Sequence, residues 1–179
     1  AAALLESARA VGGDYYDIFR IDEDHLCFAI GDVSGKGVPA SLFMAISKTL
    51  TGVVTRHHTD LSSAMQALEH ELARENPEFL FVTAFIGILD LRTGALEYVC
   101  AGHDAPCLLR DCEILKVDTE EVSGPPLCAL GDYPYAAGQA QLQPGDLLCL
   151  FTDGVSEANH GQDFFGRARL EEALARLKA

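Results

Sequence analysis

The fold is decided by the stretch Leu26-Cys27-Phe28-Ala29-Ile30-Gly31-Asp32-Val33-Ser34-Gly35-Lys36-Gly37. It opens with an apolar run that predicts a buried strand, and the pair Gly31-Asp32 ends that run. A helix is predicted next, from about Pro39 to His57. Pro39 suits the first turn of a helix, and apolar residues then recur at helical spacing. A strand that leads through a glycine-rich turn into a long helix is therefore the unit around which the rest is arranged.

Beyond this unit, the spacing of the apolar residues changes along the chain. A second helix is predicted from about Leu61 to Arg74, where apolar residues recur on one stripe. The β-rich run from Phe79 to Leu89 and a partner strand from Ala95 to Ala101 flank a turn that contains Gly94, which predicts a hairpin. Two helices followed by successive hairpins favour an α+β fold with antiparallel sheets. The remaining predicted elements are strands at Pro106–Leu109, Glu113–Val117, Ala140–Leu142 and Leu147–Phe151 and a helix near Arg169–Lys178.

Composition limits the class of protein. The 179 residues are 49% hydrophobic and 22% charged, which is enough apolar material for a core and suits a single domain over residues 1–179. Thirteen Lys and Arg against 27 Asp and Glu give a net charge of −14, so binding to nucleic acid or to an anionic membrane is disfavoured. No apolar run approaches the length of a membrane-spanning helix, and the first residues lack the basic region of a signal peptide.

Six cysteines are spread along the chain without a Cys-x-x-Cys pair. Several lie in apolar, strand-like runs, as Cys149 does between Leu148 and Leu150. We therefore expect small buried side chains in a reducing, cytoplasmic environment, rather than disulfides or zinc ligands.

Three aspartates next to glycine are the candidate functional residues. Asp14, Asp32 and Asp153 are each predicted to lie at the end of an apolar strand, and they are far apart in sequence. Glycine allows a sharp turn and a close approach to a ligand, while carboxylate and carbonyl oxygens are the ligands that Mg²⁺ and Mn²⁺ prefer. Each turn alone is better explained as a capped turn, but the three together favour a metal site. The segment from Gly31 to Lys36 does not match a phosphate-binding P-loop, whose glycines are more widely spaced.

Six motifs in order resemble the SpoIIE-like branch of the PPM metal-dependent serine/threonine phosphatases. This resemblance implies two packed antiparallel β-sheets with helices on the outer faces. It also implies two Mn²⁺ or Mg²⁺ ions that activate water to hydrolyse phosphoserine or phosphothreonine. In bacteria, such enzymes typically act on small phosphorylated anti-sigma-factor antagonists. The motifs are Val11–Asp17, Gly31–Ala40, Phe81–Phe85, Ala101–His103, Gly124–Leu127 and Phe151–Ala158.

Roles for individual residues follow from the same resemblance. Asp32 matches the aspartate that bridges both ions, and the carbonyl of Val33 matches the adjacent backbone ligand. Asp14 holds an ion directly or through water, and Asp153 binds one ion. Substrate-binding roles for three further residues are weaker hypotheses, since a surface cation or a structural histidine explains each of them as well. These three are Arg9, Lys36 and His103.

The sequence also departs from the family pattern. Members usually continue to a strand with an Asp-Asp pair that completes the metal site, and a longer strand usually precedes the first motif. We therefore expect a domain trimmed at both ends and attached to an N-terminal sensory or receiver module. The alternative is a catalytically weak or degenerate domain that acts as a regulated protein-binding module. A third reading, a metal-stabilised structural domain, explains the aspartates but not the glycine-rich turns.

Overall fold

The computed structural model describes residues 1–6, 11–58, 60–74, 76–161 and 163–177. Four helices and eleven strands are found in these ranges. The strands are β1 (Tyr15–Arg20), β2 (His25–Val33), β3 (Val82–Asp90), β4 (Ala95–Ala101), β5 (Cys107–Arg110), β6 (Glu113–Lys116), β7 (Ser123–Gly124), β8 (Gly138–Gln141), β9 (Leu147–Cys149), β10 (Asn159–His160) and β11 (Asp163–Phe164). The helices are α1 (Val38–His57), α2 (Leu61–Arg74), α3 (Asp153–Ser156) and α4 (Gly166–Ala175).

The strands form two main sheets. The larger sheet has the order β1-β2-β3-β4-β7, and β8 also pairs with β4, while the smaller sheet has the order β6-β5-β9. Every pairing in these two sheets is antiparallel except the short parallel pairing of β4 with β7. The prediction of antiparallel sheets is therefore correct apart from β7. β10 and β11 form a separate two-stranded ribbon.

Three apolar clusters stack these elements into four layers. The first lies between the larger sheet and the helices α1 and α2, and includes Phe43, Leu68 and Ile86. The second lies between the two sheets, where Phe85 of β3 and Leu108 of β5 are buried. The third lies between the smaller sheet and α4. Alternate residues of β3 enter different clusters because successive strand side chains point to opposite faces. The helix–sheet–sheet–helix arrangement confirms the predicted fold class.

Helix α1 corrects the expectation that no apolar run in the chain approaches the length of a membrane-spanning helix. It has 20 residues and is apolar enough, by length and composition, to cross a membrane. In the structure it packs on β1, β2 and α2 as a core helix does. Its buried face also carries Ser47, Thr51 and Thr55, and each of these hydroxyls donates to the carbonyl four residues earlier. These bonds satisfy polar groups that would otherwise be buried without a partner.

The cysteine prediction is correct for most of the described cysteines. Cys27, Cys100 and Cys107 are buried, Cys128 and Cys149 are half-buried, and all six are free thiols. Cys112 is exposed, because it occupies the tight turn between β5 and β6. There the expectation of a buried side chain is wrong.

An ion pair fixes the turn that leads into β9. The guanidinium of Arg110 donates to both carboxylate oxygens of Asp146, at 2.9 and 2.6 Å, and also to the carbonyl of Gln141. These bonds from Arg110 hold the pKa of Asp146 below its usual value. A lowered pKa means that the stabilisation is present at neutral pH and is lost as the pH falls through the folded-state pKa.

We expect Asp146→Asn to lower the melting temperature by several degrees at pH 7, because the substitution leaves the Arg110 guanidinium without a charged partner. The gap between wild type and variant should narrow as the pH is lowered from about 5 to about 2. Thermal denaturation across this range measures both effects. Glu113→Gln, an exposed change in β6 of the same sheet, is the control, and an equal loss in this control would contradict the assignment to the ion pair.

Candidate active site

Asp32 lies next to last in β2, directly opposite Thr83 of β3. Its carboxyl is half-buried. Burial, together with the charges of Asp14 and Asp153, raises its pKa to about 6. The structure therefore brings the three aspartates into one electrostatic cluster, although they come from three distant segments. Like charges held together in this way favour binding of a proton or a cation.

Asp14 lies just before β1 rather than at the end of a strand, so that part of the sequence prediction is wrong. The preceding glycines lie in an irregular segment that two hydrogen bonds hold in place. The carbonyl of Gly12 accepts one from Ser41 of α1, and the carbonyl of Gly13 accepts one from the amide of Val33. These bonds place Asp14 beside the end of β2. Its Oδ1 atom is buried and has no hydrogen-bond partner among the described residues.

Gly13 lies in a cradle formed by two oxygens, which leave no room for a side chain. A Cβ atom added to Gly13 would lie 2.6 Å from the carbonyl oxygen of Val33 and 2.9 Å from Oδ1 of Asp32. Such distances are too short for real atoms, so only glycine fits against these two oxygens. The backbone of Gly13 therefore approaches both of the oxygens that the family resemblance assigns to the metal ions.

Asp153 is the first residue of α3 and is exposed. The strand prediction over Leu147–Phe151 is too long, because β9 ends at Cys149 and Asp153 follows an irregular segment. Short as it is, this segment is fixed at Phe151, which is buried and whose carbonyl accepts a hydrogen bond from His103.

His103 links the segment before Asp153 to the larger sheet. Its Nε2 lies 3.1 Å from the carbonyl oxygen of Phe151, and its Nδ1 lies 3.0 Å from Oγ1 of Thr83. Burial lowers the pKa of His103, which favours the neutral ring. Nε2 then carries the proton and donates to Phe151, while Nδ1 accepts from the hydroxyl of Thr83. Both ring nitrogens are used inside the protein, so the geometry favours a positioning role over substrate binding.

Thr83 is a site residue that the sequence did not identify. Its hydroxyl contacts His103, and it also lies 3.4 Å from the backbone carbonyl of Asp32. Its only signal was its place in the motif around residues 81–85, because its role depends on the register that sets β3 against β2.

The glycine-rich loop after Asp32 is held to the start of β3. The amide of Ser34 donates to the carbonyl of Phe81, and the hydroxyl of Ser34 accepts from the amide of Phe81. Lys36 is exposed in this loop, and the structure gives it no bond to any of the three aspartates. Its substrate-binding role stays a prediction. Arg9 lies outside the described residues.

The oxygens at this site fit divalent cations such as Mn²⁺ or Mg²⁺. The cluster combines the unpartnered buried Oδ1 of Asp14, the carboxylate of Asp32, whose pKa is raised, and the carbonyl oxygen of Val33 beside Gly13. All of these are hard oxygen donors. Within the described ranges, no three His, Cys, Asp or Glu side chains lie close enough together to hold a metal ion by themselves. Backbone carbonyls and water would therefore have to complete the ligand set.

Comparisons with known proteins identify the family of the chain. The family model for Stage II sporulation protein E (SpoIIE) matches residues 22–179. The chain belongs to the SpoIIE family. The chain is 27% identical over 172 residues to the phosphoserine phosphatase RsbU of Bacillus subtilis, covering 96% of the chain and 51% of RsbU. It is 30% identical over 200 residues to protein IcfG of Synechocystis sp., covering 96% of the chain and 31% of that protein.

The SpoIIE-family fold is also seen in solved structures. The structure of the RsbU and RsbW domains of Rv1364c from Mycobacterium tuberculosis superposes with a TM-score of 0.81 and 27% sequence identity. The match covers 95% of the chain and 47% of that structure. The chain thus spans about half or less of the length of these relatives, one of which is named a phosphoserine phosphatase. The roles of the individual site residues stay predictions.

Proposed function

We propose that this SpoIIE-family domain is a metal-dependent phosphatase that hydrolyses phosphoserine or phosphothreonine on a regulatory protein. The observation that carries the proposal is the electrostatic cluster of Asp14, Asp32 and Asp153. The carbonyl oxygen of Val33 lies beside Gly13 together with Oδ1 of Asp32. A phosphate ester is itself anionic, so a site made only of carboxylates would repel it unless cations were bound there. The relative RsbU is a phosphoserine phosphatase, which supports the same reaction class.

In this proposal, two Mn²⁺ or Mg²⁺ ions would be held by Asp32, the Val33 carbonyl, Asp14 and Asp153. Bound divalent ions lower the pKa of a water molecule and stabilise charge on the phosphoryl oxygens. The chain's own contribution is to hold these oxygens in place. Gly13 admits the Val33 carbonyl, and His103 fixes the segment before Asp153.

We further propose that the substrate is a phosphorylated protein of the anti-sigma-factor-antagonist type and that the domain acts in the cytoplasm. An attached N-terminal sensory or receiver module would control it. The net charge of −14 disfavours nucleic acid as a partner. Lys36, exposed in the loop next to Asp32, is the nearest cation along the chain to receive an anionic substrate.

The test is metal-dependent hydrolysis of a phosphoserine peptide and of p-nitrophenyl phosphate, measured together with thermal stability. We expect Mn²⁺ to support hydrolysis and to raise the melting temperature, because an ion that binds only the folded state stabilises it. EDTA should reverse both effects. The proposal is wrong if Mn²⁺ and Mg²⁺ produce neither hydrolysis nor stabilisation, or if EDTA leaves the rate of hydrolysis unchanged.

A second candidate function is a regulated protein-binding module. The observation that favours it is the lack, in the part of the chain that the structure describes, of three side chains at ligand distance. Such a module would bind its partner protein equally well in EDTA and in Mn²⁺ and would hydrolyse neither substrate. A pull-down of the phosphorylated partner under both conditions therefore separates the two candidates.

We expect His103→Ala to lower activity and to lower the free energy of unfolding by about 1–3 kcal/mol, since it leaves buried partners at Phe151 and Thr83 unpaired. His103→Gln keeps a donor and an acceptor and should restore part of both. The positioning role predicts that the concentration of Mn²⁺ needed for half-maximal activity rises in His103→Ala. An unchanged Mn²⁺ requirement would instead indicate a structural role only.

A further inference from the structure

Two cysteines face each other across the smaller sheet. Cys107 of β5 and Cys149 of β9 are directly opposite residues of an antiparallel pair. Both belong to the apolar cluster that contains Phe151 and Leu174. Their side chains therefore point to the same face of the sheet, toward α4. None of the other cysteines is opposite a cysteine in the register of the described strands.

This placement meets the geometric requirement of a disulfide. Directly opposite residues in an antiparallel pair have Cα atoms about 4.5–5.5 Å apart. A disulfide needs a Cα separation of about 4.4–6.8 Å, with Cβ atoms somewhat closer than in an ordinary strand pair. Cys107 and Cys149 can therefore be joined by a small approach of β5 and β9, without a change of register.

The surroundings of the two thiols differ. Cys107 is buried, and a guanidinium nitrogen of Arg167 lies 3.5 Å from its Sγ atom. The same guanidinium donates to the carbonyl of Ala105 and to Glu171. A neighbouring guanidinium favours the thiolate, although burial raises the pKa of Cys107 overall. Cys149 is half-buried, so a small oxidant reaches it more easily than it reaches Cys107.

We propose that Cys107 and Cys149 are a reversible oxidation site that forms an intramolecular disulfide with hydrogen peroxide. The sulfur of Cys149 attacks one oxygen of the peroxide, the O–O bond breaks, and a sulfenic acid and one water form. The sulfur of Cys107 then attacks the sulfenic sulfur, and the hydroxyl leaves with the Cys107 proton as a second water. The two thiols lose two electrons in total, and one peroxide is reduced to two waters. A dithiol reductant reverses the reaction by exchange.

The disulfide would act on the neighbouring active site. Cys149 is the last residue of β9, and the chain continues from it through Phe151 to Asp153. Joining β9 to β5 moves the start of this segment and removes the thiol that Arg167 contacts. We therefore expect the disulfide to lower phosphatase activity, a consequence that rests on the proposed function. Formation of the disulfide itself does not depend on the proposed function.

The experiment exposes the full chain to hydrogen peroxide, alkylates free thiols and maps the peptides by mass spectrometry. We expect a Cys107–Cys149 linked peptide in wild type and its loss after treatment with dithiothreitol. Cys112→Ser, which alters the exposed cysteine, should form the bond as wild type does. Cys149→Ser and Cys107→Ala should not form the bond. Two variants are used so that the test still stands if one of them fails to fold.

The outcomes separate the site from its consequence. If Cys107 and Cys149 are still free to be alkylated after peroxide treatment while Cys112 is oxidised, the proposed site is wrong, whatever the activity. If the linked peptide forms and the hydrolysis rate falls reversibly in wild type but not in Cys149→Ser, both the site and its coupling to Asp153 are supported. If the linked peptide forms without any change in rate, the coupling is wrong. A chain that shows no hydrolysis at all contradicts the proposed function but leaves the peptide map as a test of the site.

Discussion

Asp32→Asn is expected to abolish metal-dependent hydrolysis and, at neutral pH, to stabilise the metal-free chain. Burial and the charges of Asp14 and Asp153 together raise the pKa of Asp32 to about 6. At pH 7 the folded chain therefore carries a carboxylate in surroundings that oppose its charge. Asparagine has nearly the same shape and no charge, so it removes this cost and also removes a carboxylate that would hold the proposed metal ions.

The sign and size of the stability effect follow from linkage. An unfolded aspartate releases its proton near pH 3.9, whereas folded Asp32 does so near pH 6. The folded state is therefore destabilised progressively as the pH rises through this interval, and the cost is complete above about pH 6. The difference in pKa corresponds to about 3 kcal/mol. Because Asp32 is only half-buried, we expect about 1–2 kcal/mol after solvent screening.

The measurement compares melting temperatures and rates for wild type and Asp32→Asn. In EDTA at pH 7, the variant should melt about 2–8 °C higher for a domain of this size, and the gap should close below about pH 4. In Mn²⁺, the stabilisation of wild type should be lost in the variant. Loss of metal-based transition-state stabilisation amounts to several kcal/mol, so the rate should fall roughly a thousandfold or more.

A matched substitution tests whether the site, rather than any lost charge, is responsible. Asp111 lies in the exposed turn after β5 with a φ of 51°, a conformation that asparagine tolerates well. Asp111→Asn should leave the rate and the response to Mn²⁺ unchanged. If Asp32→Asn retains full activity, or if it lowers the melting temperature in EDTA, then the interpretation of Asp32 as a metal ligand whose charge destabilises the metal-free fold is wrong.

Elements with a local signal could be predicted from the sequence. The helix expected over Pro39–His57 is α1 with one more residue at its start, and the helix expected over Leu61–Arg74 has those bounds. In both, a strong apolar stripe and a local start signal decide the structure. The strand of residues 95–101 is also found with its predicted bounds.

Elements that depend on distant partners were missed or misplaced. β1 is an edge strand whose Tyr16, Ile18 and Arg20 are exposed, so it lacks the apolar run that marks a buried strand. It forms because β2 pairs with it along its whole length, a contact that no local pattern encodes. The predicted position of Asp14 at the end of a strand is wrong for the same reason, because the strand follows Asp14 and does not precede it.

The same distinction between local signals and distant contacts applies to the candidate site. The three aspartates could be found in the sequence because Asp-Gly turns and family motifs mark them. Thr83 and the two hydrogen bonds of His103 could not, because they arise from the register of β3 and from the return of the chain at Phe151. Chemical type is visible in a sequence, whereas the geometry that assigns a role comes from long-range packing.

Gly13→Ala is expected to weaken metal binding sharply without changing any proposed ligand. The added Cβ would meet the Val33 carbonyl at 2.6 Å and Oδ1 of Asp32 at 2.9 Å. Since Gly13 does not have a positive φ, the cost arises from contact and not from the backbone angle. The Val33 and Asp32 oxygens must move, and mutation of a group that orients metal ligands typically costs about 10–100-fold in metal affinity or activity.

Gly154→Ala is the matched control, because it makes the same change beside another site aspartate. Its added Cβ would come no closer than 3.7 Å to another atom, the hydroxyl of Thr152, which is ordinary contact. We expect Gly154→Ala to keep the Mn²⁺ requirement of wild type, and Gly13→Ala to need at least tenfold more Mn²⁺ for half-maximal hydrolysis. Part of its rate should return at high Mn²⁺, because every ligand atom is still present. Equal behaviour of the two variants would show that the cradle at Gly13 does not shape the metal site, since they differ only in what the new methyl group contacts.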